Sequence, residues 1–213
     1  MRRRKKKGAD TRLLSFENLV LKGESIDLKG KWRDQFKKNN PIHVEFGTGR
    51  GKFITTLAKQ NPHINYIAME IKEEVLLKAV EKASQNELDN ILFVWGDVNN
   101  ILEYFDKDEL DRVYVNFCDP WPKKRWYKRR LTYRGFLENY KTILNENGEI
   151  HFKTDNEKLF EFSLNELSEA DLKLKNITLD LANSDYEGNV TTEYEDKFMS
   201  YGMKIYRVEG LKR

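Results

Sequence analysis

Glu45-Phe-Gly-Thr-Gly-Arg-Gly51 sets three glycines at alternate positions, directly behind a short apolar run and ahead of a helical pattern. A loop of this kind lets the backbone approach a ligand closely. Its spacing excludes two phosphate-binding readings. A Walker A loop needs a glycine five places before Gly51-Lys52 and a Ser or Thr after it, but those positions hold Phe46 and Phe53. A dinucleotide fingerprint needs its third glycine at 52, where Lys52 stands, with Gly51 one place early. Glu45 beside the loop would repel a pyrophosphate and suits a ligand that carries positive charge.

Further acids follow at the ends of the next apolar runs: Glu70 after residues 64–69 and Asp97 after residues 91–95 and Gly96. A carboxylate at the first position can accept both hydroxyls of a ribose, and one at the second can meet an adenine amino group. S-adenosylmethionine combines a sulfonium, a ribose and an adenine, and fits this set. The string E-x-G-x-G-x-G resembles motif I of class I methyltransferases that use this cofactor.

The fourth apolar run leads into Asn116-Phe-Cys-Asp-Pro-Trp-Pro122. Two prolines within three residues stiffen that loop and hold Asp119 at the end of the strand. A run of seven cations and no acid follows over residues 123–134: Lys123, Lys124, Arg125, Lys128, Arg129, Arg130 and Arg134. Trp121, Trp126, Tyr127 and Tyr133 are interleaved with it and suit stacking on bases. Residues 1–12 hold seven more cations against Asp10, leaving 24 basic and 34 acidic groups in the rest of the chain. Two basic patches on an acidic body point to a polyanion held at one place.

The segment F-x-D-P-W-P-K-K-R-x-x-K-R-R-L resembles the signature of bacterial-type tRNA (guanine-N7-)-methyltransferases. Phe152-Lys-Thr-Asp155 and Thr192-Glu-Tyr-Glu195 are similar to later motifs of that family, and the resemblance spans roughly residues 35–208. Family members often carry His where this chain has Trp126. The resemblance implies cofactor contacts at Glu45, Gly47, Gly49, Gly51, Glu70, Asp97 and Asp119, with Asp119 the catalytic residue. It implies substrate contacts at Lys123, Asp155, Thr192, Glu193, Tyr194 and Glu195. It implies RNA contacts along Lys124, Arg125, Trp126, Tyr127, Lys128, Arg129 and Arg130. The implied reaction moves the methyl of S-adenosylmethionine to N7 of a guanine in the tRNA variable loop. By analogy no obligatory protein subunit takes part, and the chain works as a monomer or homodimer.

These residues need a scaffold that gathers strand ends. Short apolar runs at 42–46, 64–69, 91–95, 112–117 and 148–153 alternate with helical patterns over 52–59, 73–84, 98–105, 131–144 and 155–167, with further strands expected near 173–181 and 202–208. Steady alternation implies an α/β fold: a mostly parallel, seven-stranded, Rossmann-like sheet with helices on both faces. Ligands of such sheets bind at the carboxyl ends of the strands, at the topological switch point. Thr132 is the expected N-cap of the fourth helix, and Asp155 has a rival reading as N-cap of the fifth. Residues 1–15 read as a flexible basic arm, and 16–213 as one domain.

A single cysteine, Cys118, excludes an intramolecular disulfide and favours a reducing, cytoplasmic setting. With no H-x-x-H or C-x-x-C and three scattered histidines, a metal site is not expected. No apolar run approaches a membrane span. Two other functions fit parts of the pattern. An adenine-N6 methyltransferase would carry Asp or Asn-Pro-Pro-aromatic in place of Asp119-Pro-Trp-Pro122. A non-catalytic RNA-binding module on the same fold would be expected to lose the glycines or strand-end acids, and all are present.

Overall fold

The computed structural model describes residues 8–23 and 27–213. Among them, eight strands form one sheet: β1 (Val20–Lys22), β2 (Ile42–Phe46), β3 (Asn65–Glu70), β4 (Ile91–Trp95), β5 (Leu110–Asn116), β6 (Leu144–Thr154), β7 (Lys173–Thr178) and β8 (Tyr206–Leu211). Their order is β1-β4-β3-β2-β5-β6-β8-β7. All pairings are parallel except those of β8 with β6 and β7. Chain order reverses between β2 and β5, so the switch point lies beside the glycine loop and Asn116.

The sheet has eight strands where the apolar pattern gives seven. The additional one, β1, is three residues long, too short for any periodicity to register, and exists through its pairing with β4. The expected strand at 202–208 forms later, at 206–211.

Helices α1 (Ala9–Leu14), α2 (Lys52–Gln60) and α3 (Glu73–Gln85) cover one face of the sheet. Helices α4 (Ile101–Tyr104), α5 (Arg134–Ile143) and α6 (Glu157–Glu169) cover the other. Strand β3 shows why both faces are needed: Tyr66 and Ala68 point into the first layer, Ile67 and Met69 into the second, and all four are buried. A last helix, α7 (Glu193–Met199), lies between β7 and β8 in the chain.

Three boundary readings change. Residues 9–14 are helical, with Ala9 and Leu13 buried against the α3 layer, so the basic-arm reading is left to residues 1–7, outside the described residues. Thr132 does not cap α5, because its buried hydroxyl is bonded to Ser163 Oγ at 2.6 Å and Tyr133 takes the cap position. Asn156 rather than Asp155 caps α6, accepting from the Leu159 amide at 2.8 Å, which releases the Asp155 carboxylate for other work.

Candidate active site

The glycine loop is fixed from below. The amides of Gly47 and Thr48 both donate to the Met69 carbonyl at 2.9 Å, tying the loop to the end of β3. Gly51 has φ of +80°, and a Cβ there would stand 2.5 Å from Ala79 Cβ, so its missing side chain is what lets α2 and α3 pack closely. Gly49 differs: its φ is +60° but nothing lies within 4 Å of its absent Cβ, so its bareness keeps space open above the loop.

Beside the loop, with Gly47 in its wall, opens a cleft of about 580 Å3, within the range that holds ligands of cofactor size. Its walls bring together Gly47, Glu70, Asp97 and Asp119 from four strand ends, with Trp121, Lys128 and Arg129 from the basic segment. Ile71, Val98 and Phe117 give it apolar surface suited to an adenosine. Glu70 is preset, accepting from the amides of Gly49 (3.2 Å), Ile71 (3.1 Å) and Lys72 (3.1 Å). Asp97 accepts from the Asn99 amide at 2.9 Å, which holds it at the rim. The acceptor set therefore fits S-adenosylmethionine: two carboxylates to accept from the hydroxyls and amino group of an adenosine, and bare backbone where a tail must pass.

Glu45 lies under the loop rather than in the cleft wall. It is 2% exposed and accepts from Thr48 Oγ1 at 2.6 Å and Asn116 Nδ2 at 2.8 Å. Burial pushes its carboxyl up to about 7, against the pull of those two hydrogen bonds.

The loop after β5 is the second half of the site. Phe117 and Trp121 have φ of +51° and +43°, a left-handed backbone unusual for their bulk. Asp119 is exposed on this loop. Burial pushes the neighbouring Cys118 thiol up to about 12, so it stays protonated and has no nucleophilic part. The basic segment folds as a 3-10 turn over Lys124–Arg129. The Trp121 and Trp126 rings meet edge to face at 5.8 Å, with Lys123 and Arg125 over Trp126 at 4.8 and 5.1 Å and Arg129 over Trp121 at 5.0 Å. Lys123, Lys124, Arg125, Tyr127, Lys128 and Arg129 are exposed. Arg134 is exposed as well, but its guanidinium is tied to Glu166 and Glu169.

The later motifs divide. Tyr194 reaches Asp155 through its hydroxyl at 3.3 Å, and its ring stands 5.0 Å from that of Phe117, a residue of the cleft wall. Glu195 is fully buried: it accepts from Lys153 Nζ at 2.6 Å and Asn189 Nδ2 at 2.7 Å, and forms a capping box with Thr192. Glu193 accepts from Lys82 Nζ at 2.6 Å and the Lys52 amide at 3.3 Å, docking α7 onto the start of α2. These three build the frame, while Asp155 and Tyr194 pair with each other beside Phe117, which lines the cleft.

Several contributors carry no signal of their own in the sequence. Asn116 holds Glu45, and Lys153 neutralises Glu195; only their places at the end of β5 and in the motif Phe152–Asp155 could have drawn attention to them. The histidines stay out of the site: His43 is buried and held neutral, its pKa lowered to about 3 chiefly by burial, and His151 pairs with Glu149 at 2.8 Å. Among the described residues there is no cluster suited to a metal ion, and no helix is long and apolar enough to cross a membrane.

Residues 39–208 match a family model described as a putative methyltransferase. The tRNA (guanine-N(7)-)-methyltransferase of Clostridioides difficile (strain 630) is 70% identical over 213 residues, covering 100% of both chains. That of Streptococcus pneumoniae (strain 70585) is 52% identical over 210 residues, covering 99% of each. Among solved structures, an antibiotic-related methyltransferase superposes with a TM-score of 0.63 at 20% identity, covering 90% of this chain and 97% of its own. The 16S rRNA methyltransferase KamB does so with a TM-score of 0.60 at 16% identity, covering 84% and 90%. Both share the Rossmann-like methyltransferase fold. With identity sustained from end to end in the sequence relatives, the chain belongs to the tRNA (guanine-N(7)-)-methyltransferase family.

Proposed function

We propose that the cleft carries methyl transfer from S-adenosylmethionine to N7 of a guanine in tRNA, with Asp119 as the catalytic residue and the variable loop as the target region. One observation supports this above the others: a single cleft joins Glu70, Asp97 and Asp119 with the cationic rim of Lys128 and Arg129. An adenosine site and a polyanion site thus share a wall.

When bound, S-adenosylmethionine supplies an electrophilic methyl on a sulfonium. Guanine N7 has a lone pair and no proton, so the chain needs no general base. Its residues must instead align the purine and stabilise positive charge as the purine gains it. We assign the second task to the carboxylate of Asp119, which is exposed and lines the cleft. The N1–H and N2–H donors of guanine need acceptors, and we assign these to the pair formed by Asp155 and Tyr194. N7 faces the deep, narrow groove of A-form RNA, so the base must lie in a loop or leave its stack. Lys123, Lys124, Arg125, Lys128 and Arg129 then hold flanking phosphates, Trp126 and Tyr127 give stacking surface, and residues 2–7 add sequence-independent affinity. We further infer that residues 16–213, together with α1 packed into the same core, act as one catalytic domain in the cytoplasm, as a monomer or homodimer without an obligatory partner protein.

The test is nucleoside analysis of bulk tRNA after incubation with labelled S-adenosylmethionine, beside Asp119→Ala. The reading requires 7-methylguanosine from the unaltered protein and a rate lower by about 10²–10³-fold from the variant. N6-methyladenosine or no transfer would sink it.

A further inference from the structure

Arg130 stands within the basic run, yet its guanidinium is turned away from the exposed rim. Nε donates to the Pro120 carbonyl at 2.9 Å and a terminal nitrogen donates to the Trp121 carbonyl at 3.3 Å. Its face lies 4.4 Å from the Phe162 ring centroid on α6. One planar group therefore spans two consecutive carbonyls of the Asp119 loop and fastens them to a helix of the domain. From this geometry we propose that Arg130 is a positioning residue for Asp119 and not a phosphate contact, a role that rests on the methyl-transfer reading above.

The loop needs such a fastening. Pro120 and Pro122 have no amide to donate. Phe117 and Trp121 hold left-handed conformations that β-region backbone nearby would relax, since bulky side chains rarely stay there unsupported. Asp119 lies between those two residues, so any relaxation would carry its carboxylate away from the cleft. An Arg fork suits the task because its donors lie in one rigid plane; a Lys is a single point charge on a flexible stem and cannot hold both carbonyls while stacked on Phe162. The neighbouring cations behave otherwise. Arg125 and Arg129 stack on indoles at the exposed rim.

Two measurements on the full chain separate the roles. Hydrogen exchange over residues 117–130 of the free protein should quicken by about tenfold in Arg130→Met. Transfer at saturating tRNA and cofactor should fall by about 100-fold, as expected for a misplacement near 1 Å. The KM for tRNA and the salt dependence of tRNA binding should stay as in the unaltered protein. Arg130→Lys should recover little of the rate. A phosphate contact predicts the reverse: unchanged exchange, a salt slope lower by about 0.7, and rescue by Lys. Either unchanged exchange or full Lys rescue overturns the proposal. If Arg130→Met does not fold, Phe162→Leu serves instead, with the same expected quickening of residues 117–130 and unchanged salt slope. Should the unaltered protein make no 7-methylguanosine, the functional reading fails, while the exchange measurement still decides whether Arg130 fastens the loop.

Discussion

Raising the pH from 6 to 8 should tighten S-adenosylmethionine binding by about tenfold, and Glu45→Gln should remove that dependence. The reasoning starts from burial. Glu45 is 2% exposed, and its carboxyl is pushed from an ordinary 4.5 to about 7. Lys153 nearby works to lower it and Glu193 to raise it, but desolvation outweighs both. A shift of that size corresponds to roughly 3 kcal/mol disfavouring the charged form in the free protein. The sign follows from proton counting. Between pH 4.5 and 7 the folded chain binds more protons at this group than the unfolded chain does. Its contribution to stability is therefore full below 4.5 and is lost as the pH rises through 7. A cationic ligand placed above the glycine loop reverses the preference, because it favours the carboxylate. With a pKa near 7, about one-tenth of the protein is ionised at pH 6 and about nine-tenths at pH 8, which sets the tenfold range. Calorimetry at both pH values measures the effect directly, and titration in two buffers of different ionisation enthalpy counts the proton released. S-adenosylhomocysteine, whose sulfur is neutral, should show a much smaller dependence. Gln can keep both hydrogen bonds, donating to Thr48 Oγ1 and accepting from Asn116, so the variant should fold. Equal pH dependence in Glu45→Gln, or none in the unaltered protein, would refute the argument.

Gly51→Ala should destabilise the fold by about 2–4 kcal/mol, since the new methyl meets Ala79 at 2.5 Å on a backbone with φ of +80°; urea denaturation reads it. Lys153→Met strips the buried Glu195 of its partner and should cost about 3–5 kcal/mol, with most of the loss regained in Lys153→Met/Glu195→Gln under the same denaturation assay. Removing Arg125 and Lys128 together should lower the slope of log affinity against log salt for tRNA by about 1.4, as two lost phosphate contacts demand. Arg134→Ala should leave that slope unchanged, because Glu166 and Glu169 already hold its guanidinium; filter-binding titrations over a range of salt read both slopes.

Local features of the chain determined a large share of this protein. The run Ile91–Trp95 is apolar throughout because both faces of a parallel strand are covered, so its composition and length reveal a strand of the sheet without any long-range knowledge. The glycine loop, the strand-end acids and the proline-stiffened Asp119 loop are legible for the same reason: each is a short string whose spacing matters by itself. Tertiary structure decided which charged side chains face outward. Nothing in Thr192-Glu-Tyr-Glu195 says that Tyr194 meets Asp155 and Phe117 while Glu195 is sealed against Lys153, 42 residues away in the chain. Nor does a run of seven cations say that Arg129 lies at the rim while Arg130 turns back to its own loop. Strand β1 likewise exists through its pairing with β4 rather than through its three residues. Periodicity and spacing are properties of neighbours along the chain. The orientation and ionisation of a polar group depend on which distant residues fold around it, and those only the assembled sheet and its helices supply.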